Sequence, residues 1–435
     1  MRRALVIAVA AFLLAANTSA LAGTLDLTIL HTNDEHGRLA ATPSFGSICT
    51  PEHKAENKCR GGAARLAGAI SAVRTAGGNV LLLDAGDQFQ GTLFYTHYKG
   101  QAAAQVMNRL GYDAMAVGNH EFDDGPVVLA RFAKRIKFPL LSSNTDISAD
   151  THLAGLVAPW AVIERGGERV GVIGLTTEET PNISSPGPDI RFSKVARALK
   201  DVVASIEKMG INKIIALGHV GYGRDMEMAR TINGIDIIVG GHSKTAPGNA
   251  TCRTGECALG NLIADIMLWR TAGEGSEIAI ANGGGIRAGL PAGAVTRGDV
   301  LQVLPFGNTL ATFGLHGRDL LRALEHGLTR NGSGAFPQVA GLSYSWGATR
   351  PAGERLGRVT VRGADGIFAL LDEARIYRLV SNNFLSRGGG GYDVLRDHAI
   401  DAYDFGPVLA DAAIAYLGEH APIAPRLEGR IKQLQ

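Results

Sequence analysis

Hydrophobic and polar positions follow one plan at five places along this chain: a short apolar run, then a small cluster of Asp, Asn or His. The five are LTILHTNDEHG (Leu27–Gly37), NVLLLDAGD (Asn79–Asp87), DAMAVGNHEFDDG (Asp113–Gly125), NKIIALGH (Asn212–His219) and DIIVGGHSK (Asp236–Lys244). The runs are rich in Val, Ile and Leu and too short for helices, so they predict buried strands. In an open α/β sheet, ligands bind beyond the carboxyl ends of the strands. Five such strands would deliver Asp34, His36, Asp87, Asn119, His120, His219 and His242 to one rim. Any one of these histidines alone reads as a satisfied core or surface residue. Repetition at one topological position is what predicts a metal site.

Helical stretches such as Ala64–Thr75, Gly100–Leu110 and Ser193–Met209 alternate with the runs, an α/β pattern over residues 25–245. Residues 245–251, TAPGNAT, are small, polar and turn-forming, and predict a linker. A second α/β unit follows. It has an amphipathic helix at Leu259–Thr271, strands at Glu277–Ala281, Thr309–Leu315 and Tyr377–Ser381, a helix at Arg318–Leu328 and a closing helix at Phe405–His420. The length of 435 residues accommodates two or three domains with large cores. The expected division is a leader at 1–22, a first domain at 23–245, a linker at 246–251 and a second domain at 252–435.

Composition changes the picture in three ways. Met1-Arg2-Arg3, the apolar stretch Ala4–Ala16 and the small residues Ala20-Leu21-Ala22 before Gly23 predict a cleaved signal peptide, and so a periplasmic or secreted protein. The apolar stretch is too short to span a bilayer, and the polar end EGRIKQLQ argues against a lipid-anchor signal. The formal net charge is +2, two of the arginines belong to the leader, and no basic tract marks a nucleic-acid surface. An anionic substrate must then be held by local charges or metals. The four cysteines, Cys49, Cys59, Cys252 and Cys257, allow three pairings; sequence proximity favours Cys49–Cys59 and Cys252–Cys257 over a zinc knuckle in an exported chain. Cys49–Cys59 would frame a polar loop, TPEHKAENK.

The chemistry follows from the donor set. Asp34 and His36 alternate on an extended segment and need a turn or twist to reach one ion. Asp87 offers a carboxylate able to bridge two ions. Mixed N/O donors without thiolate suit Zn, Mn, Fe or Mg. Two ions about 3.5–4 Å apart activate water and stabilise a phosphoryl oxygen in an in-line displacement. His120 follows Asn119 directly, and Asp123, three residues on, is placed to orient its imidazole. Such a pair suits transition-state stabilisation or leaving-group protonation.

HTNDEHG, LLDAGDQFQGT, AVGNHEFDDG, GHVGYGRD and GGHS resemble the calcineurin-like metallophosphoesterases, and more closely the 5'-nucleotidase family. CRTGEC, GNLIADIM, NGGGIR, VLPFGN and NFLSRGGGGY extend the resemblance through the second unit. It implies an N-terminal αββα sandwich with a C-terminal α/β substrate-binding domain, and a dimetal hydrolase that cleaves 5'-nucleotides to nucleoside and phosphate. By motif match, Asp34, His36 and Asp87 would hold one divalent ion. Asp87, Asn119, His219 and His242 would hold the other. His120 with Asp123 would be the catalytic dyad. Arg253, Asn282 and Arg287 would contact the substrate, with Phe306 and Phe384 sandwiching its base. Two aromatic faces stack on any base, and guanidinium pairs with phosphate or ribose oxygens.

Three departures from the family pattern stand out. Lys244 occupies a position where the family has His, Asn or Gln near the first ion, and a protonated lysine cannot ligate. Gly390 stands where the family commonly has Asp for the ribose hydroxyls. His242 and Arg253 are only eleven residues apart, where the family has many tens. Strands of the sandwich would then be absent, a sheet edge exposed and the family's domain rotation blocked. These departures keep two alternatives open: a different ester, such as a cyclic nucleotide or nucleotide sugar, and a shortened, non-catalytic binding protein.

Overall fold

The computed structural model describes residues 25–43, 49–243, 250–291 and 293–434. The leader, Lys244 and most of the TAPGNAT segment lie outside the described residues. The last part of that segment begins a short helix, Ala250–Thr254.

The first domain stacks two four-stranded sheets. One is wholly parallel, in the order Leu27–Thr32, Asn79–Asp84, Ala114–Ala116, Leu140–Leu141. The other runs Ile237–Gly240, Ile214–His219, Glu168–Thr176, Trp160–Arg165, with an antiparallel pairing only at its last step. The five expected strands are present, but they divide three and two between these sheets rather than lining one. Leu81, Leu83, Ala114, Ala116, Val172, Ile215 and Leu217 form the layer between them. Helices cover the outer faces: Gln101–Leu110 and Gly125–Ala133 pack on one sheet, and Val195–Lys208 on the other. The αββα expectation is met.

Leu27–Thr32 and Ile237–Gly240 are edge strands. The first is half-buried along its length rather than buried, and Ile237 is 40% exposed. An edge strand lacks a neighbour on one side, so its apolar residues are only partly covered.

The second domain is built on a five-stranded sheet in the order Pro337–Ala340, Ile278–Asn282, Ile376–Asn382, Leu310–His316, Ile400–Tyr403. A four-stranded sheet centred on Leu342–Gly347 packs beside it and takes in Ile431–Leu434 from the chain end. Ala258–Thr271 is not amphipathic in practice: eight of its residues are buried, including Leu262, Ile263, Ile266 and Met267. It is wedged between the large sheet and Leu409–His420, which leaves little of it but Arg270 and the Asp265 carboxylate at the surface. The closing helix begins at Leu409 and not at Phe405, because Pro407 breaks the run and Gly406 donates its N–H to Leu310. The expected polar loop between Cys49 and Cys59 contains a short helix, Pro51–Ala55, capped by Thr50. Both expected disulfides are present. Among the described residues no helix is long and apolar enough to cross a membrane.

Candidate metal centre and substrate cleft

The ends of strands from both sheets converge on Asp87. Its Oδ2 lies 3.1 Å from His219 Nε2, 3.8 Å from His36 Nε2 and 3.9 Å from His120 Nε2. Its Oδ1 accepts the backbone N–H of His120 at 2.9 Å. Two groups able to hold a cation share this carboxylate: His36 with Asp87 and His120, and Asp87 with His219 and His242. Asp34 lies 3.7 Å from His36 and accepts the His242 N–H at 3.0 Å. His242 Nδ1 is 3.0 Å from Asn119 Oδ1. All the sequence-predicted ligand candidates are therefore neighbours.

Local backbone makes this convergence possible. Asp34, His36, Asp87 and His242 all have positive φ, at 52°, 50°, 61° and 72°. The left-handed region costs a residue with a Cβ roughly 1–2 kcal/mol. Here it folds the segment after Leu27–Thr32 so that alternating Asp34 and His36 face one point. Gly118 is required for the same packing, since a Cβ there would sit 2.4 Å from Asp87 Oδ1 and 2.5 Å from Asp87 N. Fully buried Glu121 braces the two loops. It accepts N–H groups from Asp87, Gln88, Phe89 and Gly118 at 2.7–3.1 Å.

The donor set fits a cation. His36 Nδ1 donates to Phe89 O at 3.0 Å, and His219 Nδ1 donates to Ala85 O at 2.7 Å. A carbonyl only accepts, so each Nδ1 carries a hydrogen and each neutral Nε2 presents a lone pair. Those lone pairs face carboxylate oxygens, a contact between acceptors that only a proton or a metal ion reconciles. His219 shows the conflict: burial pushes its imidazole down, but Asp87 and then Asp34 outweigh it and raise it to about 9. Asp87 is held well below its ordinary range, with burial opposing and His219 and His120 lowering it. His242 is pushed down to about 4 by burial and by the charge of His219, which leaves it neutral and ready to ligate.

An ion held by His219 would have to displace its proton. Below about pH 9 that ion should release one proton on binding, so its affinity should rise with pH, by about tenfold per unit, and level off above 9. Calorimetric metal titrations at pH 6.5, 7.5 and 8.5 read this directly. A flat profile would remove His219 from the ligand set.

His120 and Asp123 form a pair: Nδ1 donates to Asp123 Oδ2 at 2.6 Å. The other Asp123 oxygen accepts Ser184 Oγ at 2.7 Å, a partner the sequence reading missed. Glu121 was missed too, although it lies inside the quoted motif GNHEFDDG.

The second domain closes over this centre. Arg287 Nη2 lies 3.1 Å from His36 Nε2, and its guanidinium is 5.6 Å from the Phe306 ring centre. Phe306 in turn stacks on His120, with centroids 5.9 Å apart and planes at 28°. Residues 180–183 pack against Gly389–Gly391, and Arg330 pairs with Glu179 at 3.3 Å. Asn282 accepts from Asn382 at 2.9 Å and lines a pocket with Phe306, Asn308 and Leu409. Arg253 is carried between the cysteines of the Cys252–Cys257 disulfide. Burial and the nearby Arg287 push its guanidinium down to about 10. Phe384 packs against Gly389 and Gly390. Gly390 offers no side chain; its φ is 69°, and its carbonyl accepts from His326 at 2.9 Å.

A two-sheet domain with a shared carboxylate between imidazole groups, faced by arginines, defines a metal-dependent phosphoester hydrolase. The profile of the calcineurin-like phosphoesterases matches residues 27–245, and that of the 5'-nucleotidase C-terminal domain matches 239–397. The chain belongs to the 5'-nucleotidase family. It is 32% identical to human 5'-nucleotidase, over 94% of this chain and 91% of that protein. It is 33% identical to the trifunctional nucleotide phosphoesterase YfkN of Bacillus subtilis, over 95% of this chain but only 35% of that longer protein. Among solved structures, a 5'-nucleotidase precursor from Thermus thermophilus superposes with a TM-score of 0.88 at 36% identity, covering 94% of this chain and 99% of that one. The human alignment runs over 529 positions, whereas 94% of 435 residues is about 409, so roughly 120 positions have no counterpart here.

Proposed function

We propose that this protein is an exported dimetal phosphohydrolase that cleaves 5'-nucleotides to nucleoside and phosphate. The observation that carries the reading is the apposition across the cleft. Arg287 and Phe306 of the second domain lie against His36 and His120 of the first, where a phosphate and its base would meet the metal centre. Asp34, His36 and Asp87 would hold one ion, and Asp87, Asn119, His219 and His242 the other. When bound, the ions supply Lewis acidity and nucleophile activation.

The chain's own residues do the rest. Arg253 and Arg287 bind the anion by charge-assisted hydrogen bonds. Asn282 meets the base, and Phe306 and Phe384 stack on it. His120 supports charge on the leaving oxygen or protonates it. Asp123 fixes the tautomer that leaves Nε2 facing the reacting group, and Ser184 holds Asp123 in place. Export is supported by the two disulfides, which suit an oxidising compartment.

The test is phosphate release from a panel of 5'-nucleotides by metal-stripped protein to which each divalent ion is restored. Protein that binds two ions yet releases no phosphate would sink the reading. Gly390 favours a second substrate class in the same panel, esters whose ribose hydroxyls are blocked, because no carboxylate stands there to demand them.

Phe306→Ala should raise KM for nucleotides far more than for a small aryl phosphate. One stacked face is worth roughly 1–3 kcal/mol, about 5- to 150-fold. Equal changes on both substrates would make Phe306 a packing residue.

A further inference from the structure

Arg38 follows the segment that carries Asp34 and His36, and none of the roles described above uses it. Its side chain is half-buried. Among the described residues its guanidinium makes no hydrogen bond and no ion pair. Its backbone is pinned by an N–H bond to Glu35 O at 3.1 Å, and a Cβ on Gly91 would sit 3.5 Å from its Nη1. The same Gly91 Cβ would sit 2.8 Å from His36 Cβ, which places the Arg38 guanidinium beside that donor, and Arg287 of the other domain lies within electrostatic reach of both Arg38 and Arg253. Arg287 itself reaches the imidazole of His36 at 3.1 Å and lies over the Phe306 ring.

Three guanidiniums thus gather beside the metal centre; among the described residues none forms an ion pair with a carboxylate, and Arg287 alone has carboxylates within electrostatic reach, those of Asp87, Asp123 and Asp34. Burying charge without a partner is costly. The imbalance would grow with two divalent ions bound, because they add four positive charges to a centre with three carboxylates, Asp34, Asp87 and Asp123. What the site lacks is an anion with several acceptor oxygens. A phosphate dianion fits, and the planar forks of arginine suit its oxygens.

We propose that Arg38 is a third arginine of the phosphate-binding site, reaching the phosphoryl group from the first domain while Arg253 and Arg287 reach it from the second. The inference rests on the phosphohydrolase reading above and adds a binding residue to it. It also gives the anion a structural role, since phosphate then ties the two domains together through arginines from each.

Inorganic phosphate is the probe. Hydrogen bonds to charged groups are worth about 1.5–3 kcal/mol, so Arg38→Gln should raise the inhibition constant for phosphate by roughly 10- to 150-fold. Metal affinity, measured by calorimetry, should stay within about twofold. The phosphate-induced rise in unfolding temperature should shrink in step with the lost affinity. Arg38→Lys keeps a charge without the fork and should fall between wild type and Arg38→Gln; it serves if the Gln variant does not fold. Phosphate inhibition unchanged in the variants, with wild type active, would overturn the role of Arg38 alone. A metal-loaded wild type that neither binds phosphate nor releases it would instead sink the phosphohydrolase reading.

Discussion

Asp87→Asn is expected to abolish turnover and to lower bound metal from two ions to at most one. The reason is that one carboxylate serves both groups of donors. Its Oδ2 faces His219, His36 and His120, while its Oδ1 anchors the N–H of His120. Asparagine has nearly the same shape, so the loop should keep its fold. What is lost is the negative charge that would offset two cations at the carboxylate both donor groups share. In the metal-free variant the His219 imidazole should fall from about 9 toward its ordinary range, because Asp87 is the main group that raises it. Metal analysis after dialysis and a titration of the His219 ring by NMR check the two consequences. A reconstituted variant with near wild-type kcat would refute the shared-carboxylate assignment.

His120→Ala should leave both ions bound and lower kcat by roughly 10²–10⁴-fold, the usual worth of a positioned acid–base group. The geometry contains its own rival, because His120 Nε2 is grouped with His36 and Asp87 closely enough to ligate. Its Nδ1 is committed to Asp123, and the Asp123 carboxylate to Ser184, as befits a group held for proton work. Metal content separates the two: loss of one ion, with activity restored by excess metal, would make His120 a ligand. Leaving groups sharpen the test. If His120 protonates the departing oxygen, the loss should be large for nucleotides and small for an aryl phosphate whose leaving group needs no proton. An equal loss on both would assign it to charge stabilisation at the phosphoryl group.

Much of the site was legible along the chain because its donors sit at strand ends. A short apolar run that stops in Asp, Asn or His marks both a strand and the rim where it ends, so Asp34, Asp87, Asn119, His219 and His242 could be picked out one by one. Disulfide partners were legible because each pair is close in sequence. Errors arose where packing, not local pattern, decides. Ala258–Thr271 has a helical pattern, yet more than half of its residues are buried. Residues 405–408 have an apolar pattern, yet they run extended beside Leu310. Glu121 and Ser184 carried no signal of their own. A glutamate in a motif looks solvent-facing until four N–H groups from two loops are found around it.

The apolar runs, the polar ends and the motif spacings settle which segments become strands and which side chains they carry, since those depend on interactions over a few residues. Tertiary structure alone decides that the five strands split between two sheets and that four donors adopt left-handed backbone. It also brings His242 to Asp34 across 208 residues and Arg287 to His36 across 251. No local rule encodes such meetings. They follow from burying the layer between the sheets and closing one domain on the other, which fix in space groups that the chain keeps far apart.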